Sequence, residues 1–370
     1  MKRFFTFFVA IALLSCSTDH GYTIKGKLPT GDYNQKRVFL TNYDKGVTIT
    51  DTATVVGDKF TFKGEVTTPE YYGITIDGMD EKIILFVEND NFKIEYPKEG
   101  GAKGAEVTGG ETNTLLNELK EKKREVNEKY SIESLREEYK DQNTSVDRKR
   151  EIAKLDLAAQ EELKVLDEQF FNDHPHSFYT IYQLVKKVEE YPFSEMEKRV
   201  EECEAMAKYE GNRYLQEVKK SIERLRPLQP GKIAPDFSLP TPEGKMVSLS
   251  EIYPNHKITM IDFWAGWCGP CRRFNPKLVE LYKKYNKFGF GIVGVSLDSK
   301  EEVWKDAIKT DKLTWVQLSD LKYWKSEVVE PYFVTYIPQN IFVDSEGKVI
   351  KRKVAAFELE EFIKKQLGIE

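Results

Sequence analysis

The chain has 370 residues, 40% hydrophobic and 32% charged, with 56 basic against 61 acidic side chains for a formal net charge of −5. At about 150 residues per domain this length holds two or three domains, each with room for its own core, and the composition excludes a collagen-like repeat, a disordered tail and a single small module. No basic block stands out, so the charge pattern offers no footprint for DNA or RNA.

The N-terminus carries the one apolar run that concerns a membrane, Phe4 to Leu14 behind Met1, Lys2 and Arg3, and its 11 residues are too few to span a bilayer. The basic start, apolar middle and small Ser15 predict a secretory signal over residues 1–15. Leu13-Leu14-Ser15-Cys16 resembles the lipobox of bacterial lipoproteins. That resemblance implies diacylglycerol on the Cys16 sulfur, cleavage before Cys16, acylation of the new amino group and a tether over residues 16–21. Two or three acyl chains would hold the protein to a membrane by lipid alone, since one chain, at about 0.8 kcal/mol per buried methylene, binds only marginally. Ser17, where an Asp would imply inner-membrane retention, points to a periplasm-facing lipoprotein of the cell envelope, at the outer membrane.

Over residues 22–110, short runs rich in β-branched and aromatic residues predict a small antiparallel β domain: Arg37–Asn42, Thr48–Val56, Lys59–Val66 and Lys82–Val87. Gly57-Asp58 between two of them predicts a hairpin across Val55 to Phe62. The layout resembles the β domain of unknown function that precedes a thioredoxin domain in bacterial lipoproteins, a likeness of pattern that supplies no chemistry. Over 111–227 the period changes: Ile152, Leu155, Ala159, Leu163, Leu166 and Phe170 recur at steps of three and four. Breaks at Pro175, Pro192 and Gly211 predict three or four amphipathic helices. Cys203 in this region reads as a quiet helix thiol. His174-Pro175-His176, with no further ligand cluster, reads as a helix boundary rather than a metal site.

Pro227, Pro230 and Gly231 mark the next boundary, and over 228–370 strands and helices alternate. Strands are predicted at Lys257 to Ala265 and Phe290 to Leu297, helices at Pro270 to Tyr285 and Glu301 to Lys309. A closing hairpin, Asn340 to Val343 and Val349 to Val354 around Glu346-Gly347, precedes a terminal helix through Leu367.

The chemistry sits in Asp262-Phe263-Trp264-Ala265-Gly266-Trp267-Cys268-Gly269-Pro270-Cys271, two thiols with two residues between them at a strand-to-helix junction. No second C-x-x-C pair stands by to complete a zinc site, so redox chemistry is expected. Cys268 falls at a helix N-terminus, where unpaired N–H groups and the dipole favour an anion. Its thiolate is a nucleophile for disulfides, and Cys271, about one turn on, can close onto the mixed disulfide. Pro270 needs no N–H in the first turn. Asp262, in the apolar strand, is the candidate base for the Cys271 proton, with burial raising its pKa toward working pH.

This stretch resembles the thioredoxin active site, and Gly231-Lys232-Ile233-Ala234-Pro235-Asp236-Phe237 resembles the entry to TlpA/ResA-like domains of the bacterial envelope, within the AhpC/TSA type of thioredoxin fold. The resemblance runs from Gly231 to the C-terminus. It implies an α/β thioredoxin fold and a thiol-disulfide oxidoreductase that reduces protein disulfides through Cys268 and Cys271, with Asp262 matching the buried Asp of thioredoxin. The Gly269-Pro270 insert goes, in the family, with reducing members, and Trp267, Gly269 and Pro270 would meet the substrate. Ile337-Pro338 matches the family's cis-proline loop, so Ile337 would dock the substrate chain and Pro338 would keep metal from the thiols; Pro276 matches a helix-kinking proline. Many TlpA/ResA-like domains carry a Glu three residues after the second Cys, where this chain has Phe274, which leaves Asp262 as the acid–base group. No metal and no cofactor beyond the Cys268–Cys271 disulfide is implied, and the partners implied are protein thiols and disulfides of the envelope with a membrane electron donor. A peroxiredoxin shares the fold, but its P-x-x-x-T-x-x-C pattern meets Ile261 and Ala265 here. A disulfide-forming oxidant stays open, since direction follows potential and partner supply. So does an envelope binding module in the residues before Pro227, with the thiol pair secondary.

Overall fold

The computed structural model describes residues 21–29, 31–42, 48–97, 104–189 and 191–369, so the expected signal segment and Cys16 lie outside the described residues. The chain divides into two compact units, Met1–Val218 and Lys219–Glu370. In the first, the strands are β1 (Tyr22–Lys27), β2 (Arg37–Asn42), β3 (Thr48–Thr54), β4 (Lys59–Gly64), β5 (Glu70–Ile76), β6 (Ile83–Val87), β7 (Asn91–Glu95) and β8 (Glu106–Thr108). They form two four-stranded sheets, ordered β4-β1-β7-β8 and β3-β2-β5-β6. Alternation along a strand such as β4, with Phe60 and Phe62 buried between exposed neighbours, gives each sheet one apolar face. The two faces share one core through Ile24, Phe62 and Phe92 from the first sheet and Val38, Ile74 and Leu85 from the second.

The hairpin expected across Val55 to Phe62 forms only at its turn. Val56 and Lys59 exchange backbone hydrogen bonds of 2.9 and 3.2 Å around Gly57, whose φ of 67° suits glycine. Beyond the turn β3 and β4 part into different sheets, because β4 pairs with β1 from Tyr22↔Gly64 to Lys27↔Lys59 while β3 pairs with β2. β5 escapes the sequence pattern for a physical reason: it is buried on both faces and shows little alternation.

Among the described residues six helices follow rather than three or four: α1 (Glu111–Lys129), α2 (Ile132–Lys140), α3 (Val146–Asp173), α4 (Phe178–Lys186), α5 (Phe193–Glu204) and α6 (Arg213–Leu225). Pro175, Pro192 and Gly211 stand between helices as expected, and two further breaks fall at serines. Ser131 adopts a left-handed φ of 51°, and Ser145 caps α3 by accepting the Arg148 N–H at 3.2 Å.

The second unit holds the short hairpin β9 (Ser238–Pro240) and β10 (Met246–Ser248), then α7 (Leu249–Ile252), β11 (Ile258–Trp264), α8 (Gly269–Tyr285), β12 (Phe290–Ser296), α9 (Glu301–Asp311), β13 (Val316–Leu318), β14 (Gln339–Asp344), β15 (Val349–Arg352) and α10 (Leu359–Leu367). A five-stranded sheet runs β13-β12-β11-β14-β15, with β11 central, parallel to β12 and antiparallel to β14. Both β11 and β12 are buried at every position, which is why they read as continuous apolar runs. Alternate residues feed two cores. Met260, Trp264, Ile292 and Phe342 pack with α8, α9 and α10, while Ile261, Phe263, Val293 and Ile341 pack with Leu239, Leu249 and Tyr332 on the other face. That parity places Asp262 on the α8 face of the central strand. The architecture is a thioredoxin fold preceded by a helical segment and by β sheets that are antiparallel except where β1 runs parallel to β7.

Candidate active site

β11 ends at Trp264 and α8 begins at Gly269, so the intervening turn projects Cys268 as the helix N-cap. Its Sγ accepts the Cys271 N–H at 3.2 Å, and Pro270 occupies the first turn, where a missing N–H is harmless. Cys268 and Cys271 are joined in a disulfide and are only 3% and 1% exposed. The Ile337–Pro338 peptide is cis, and the Ile337 carbonyl oxygen lies 3.9 Å from Cys268 Sγ, so the loop named from sequence reaches the sulfur. Gly269 is open-sided, since a Cβ there would meet only the Arg273 guanidinium, at 3.4 Å. Trp267, 45% exposed, donates its indole N–H to the Leu297 carbonyl at 3.4 Å and lies 5.3 Å from the exposed ring of Tyr323. Pro276 lies inside α8, and Phe274 packs against the apolar cluster.

Asp262 is 4% exposed and shares its face with Met260, Trp264 and the two sulfurs. Burial, with no charged neighbour to offset it, pushes its carboxyl up to about 7. A carboxyl poised there can hold or release a proton near neutral pH, the property a base for a buried thiol requires.

Several residues around the pair escaped the sequence reading. The Gly266 N–H donates to Asp298 Oδ2 at 2.7 Å, and its carbonyl accepts from Arg272 Nη1 at 3.1 Å. Arg272 in turn grips Asp311 at the end of α9 with two nitrogens, and Asn275 joins it there at 2.7 Å. Asp298 also accepts the Ser296 hydroxyl at 2.6 Å. A Cβ at Gly266 would stand 2.8 Å from the Val303 carbonyl oxygen, so glycine lets α9 press directly on the turn. Tyr323 holds a left-handed φ of 58° beside Trp267. The one local signal was Gly266 itself; the rest depends on chain segments distant in sequence.

Outside this site, Cys203 is buried in α5 and burial pushes its thiol up to about 11, as befits an inert helix cysteine. His176 Nε2 lies 2.9 Å from Glu202.

A mixed sheet whose central strand delivers a cysteine pair to a helix N-terminus defines a thioredoxin-fold dithiol protein. Residues 230–352 match the AhpC/TSA family, and residues 22–116 match a domain of unknown function, DUF4369. The thiol-disulfide oxidoreductase ResA of Bacillus thuringiensis subsp. konkukian is 32% identical over 138 residues, 36% of this chain and 77% of that protein. ResA of Oceanobacillus iheyensis is 33% identical over 123 residues, 32% of this chain and 62% of that protein. Among solved structures, a thiol-disulfide oxidoreductase from Bacteroides fragilis is 36% identical, covering 36% of this chain and 98% of that one with a TM-score of 0.35. The chain belongs to the ResA-like thiol-disulfide oxidoreductases and is an enzyme of that class.

Proposed function

We propose that this oxidoreductase works in the reducing direction on disulfides of other cell-envelope proteins, held at the periplasmic side of the outer membrane by lipid on Cys16. The observation that carries the reading is the placement of Cys268, which follows exposed Trp267 in the chain and whose Sγ caps α8, receives the Cys271 N–H and lies 3.9 Å from the Ile337 carbonyl. Free N–H groups and the helix dipole stabilise a thiolate there.

In the dithiol form the Cys268 thiolate attacks a substrate disulfide. One S–S bond forms to the substrate, and the other substrate sulfur leaves as a thiolate and takes up a proton. Cys271 then passes its proton to Asp262 and attacks Cys268 Sγ, closing the internal disulfide and releasing the second substrate sulfur. The substrate disulfide has gained two electrons and the cysteine pair has lost two, which a dithiol donor at the membrane restores. Trp267, Gly269, Pro270, Ile337 and Pro338 form the surface met by the substrate chain, and the redox-active group is the cysteine pair itself.

Cys271→Ser removes the internal exit, so mixed disulfides on Cys268 should accumulate in cells and dissolve with reductant. Envelope proteins in those adducts, with a mainly dithiol resting pair in the unaltered protein, support the reading. A mainly disulfide resting pair makes the protein an oxidant, and a lack of adducts removes Cys268 as nucleophile. Cys16→Ser should move the protein from the membrane fraction to the soluble one; unchanged fractionation removes the anchor.

A further inference from the structure

Gln317 in β13, Gly294 in β12, Asp262 in β11 and Asn340 in β14 are direct register partners. Partners across a ladder share a face of the sheet, so these four residues make one row on the α8 side, polar among the apolar Met260, Ile292 and Phe342. A Cβ at Gly294 would come within 2.3 Å of Gln317 Oε1, so the glycine leaves room for the Gln317 amide to lie across β12 toward β11. Trp264, two residues past Asp262 on β11, donates its indole N–H to Gln317 Oε1 at 3.0 Å. Because indole only donates, this bond fixes the amide with its oxygen on Trp264 and its nitrogen turned away. That nitrogen, Nε2, is buried and has no acceptor among the described residues. Two strand spacings separate the Gln317 and Asp262 backbones by about 10 Å, a gap that the two side chains and one water close.

We propose that Gln317 is a positioning residue for the Asp262 base, its Nε2–H donated through one bridging water to the Asp262 carboxylate over the open face of Gly294. The inference rests on Asp262 acting as the base that takes the Cys271 proton. A donor favours the ionised carboxylate, so Gln317 opposes the upward push of burial. Asn340 is instead held on Val354, its Oδ1 accepting the Val354 N–H at 2.9 Å and one Nδ2–H donated to the Val354 carbonyl at 3.0 Å. The groups that face Asp262 are Gly294 from β12, Gln317 from β13, Asn340 from β14, and Cys268 and Cys271 at the start of α8; α9 and α10 bring Trp304, Ala307, Leu359 and Ile363. Besides the cysteines, the titratable groups of that cluster among the described residues are Tyr282 and Tyr285 on α8, and burial is the cause that acts on Asp262.

Gln317→Met keeps an unbranched side chain of similar length and removes both amide atoms. In the full-length protein, with insulin as disulfide substrate, the limb over which the rate rises as Asp262 ionises should move up by about one pH unit. In an Asp262→Asn background the same change should move nothing. If Asp262→Asn leaves the pH profile untouched, the base assignment fails and the inference falls with it. If Asp262→Asn abolishes the limb and Gln317→Met does not shift it, the inference alone is overturned. A second measurement needs no substitution at 317. In protein isotope-labelled at its glutamine side-chain nitrogens, the Gln317 Nε2 resonance should follow pH with the midpoint of the Asp262 carboxyl and stay flat in Asp262→Asn. A resonance that is flat in the unaltered protein overturns the proposal.

Discussion

Asp262 weakens the folded state in a pH-dependent way. Burial raises its pKa from the usual carboxylate range to about 7, and unfolding restores the ordinary value. The folded chain thus holds this proton more tightly than the unfolded chain does. Stability from this group is greatest below about pH 4 and falls as pH rises through about 7, where ionisation in place becomes costly. A gap of about 3 units corresponds to roughly 4 kcal/mol, an upper limit reached above pH 7. Asp262→Asn keeps the shape and removes the ionisation. The variant should need more denaturant than the unaltered protein at about pH 8, with a much smaller difference at about pH 4; an equal difference at both would contradict a buried, neutral-leaning carboxyl. The same change should slow the resolving half of turnover on the order of 100-fold, read as adducts that persist when rapid quenching samples a single reduction cycle. The proposed base thus costs stability at the pH where it would transfer a proton.

At the scale of elements, the turn between β11 and α8 carries its own Cys268 N–H to Ala265 carbonyl bond at 3.1 Å and is further held by α9 and by the segment after β12. Gly266 gives its N–H to Asp298 and its carbonyl to Arg272, and Arg272 is braced on Asp311. Asp298→Ala should cost about 1–3 kcal/mol, because the buried Gly266 N–H and Ser296 hydroxyl lose their acceptor. Amide exchange at Gly266 should speed up more than at the centre of β12, and unchanged exchange there would remove Asp298 from the grip. Little of this was legible in the sequence. The strand, the thiol pair and the helix start were readable because their signals are local: an apolar run from Lys257 to Ala265, then Cys268 and Pro270. The row of Gln317, Gly294 and Asp262 was not, since it exists only once the registers of three strands are fixed. The division of β3 and β4 between sheets, and the breaks at Ser131 and Ser145, were hidden for related reasons. Pairing partners decide the division of the strands, and caps decide the helix breaks, where neither glycine nor proline marks the spot.

At the scale of the whole molecule, each unit carries its own core. The core of the first unit's sheets draws on residues from Tyr22 to Val107, and the two cores flanking the five-stranded sheet draw on residues from Leu228 to Ile369. Every group described around the sulfurs, from Asp262 through Asp298 and Gln317 to Ile337, belongs to Lys219–Glu370. A chain of about 150 residues buries roughly 70% of its unfolded surface, enough to fold alone when its core is complete. The cut before Lys219 falls inside α6 but keeps its buried Ile222 and Leu225. Lys219–Glu370 expressed by itself should therefore fold, and its dithiol–disulfide equilibrium against glutathione should match that of the full chain within about twofold. Since a tenfold change in that constant equals about 1.4 kcal/mol, a tenfold difference would mean that Met1–Val218 contributes at least that much to the oxidised or reduced site. The redox equilibrium would then be a property of the two units together, and the groups that set it would have to be sought beyond the shell of Asp262, Asp298 and Gln317.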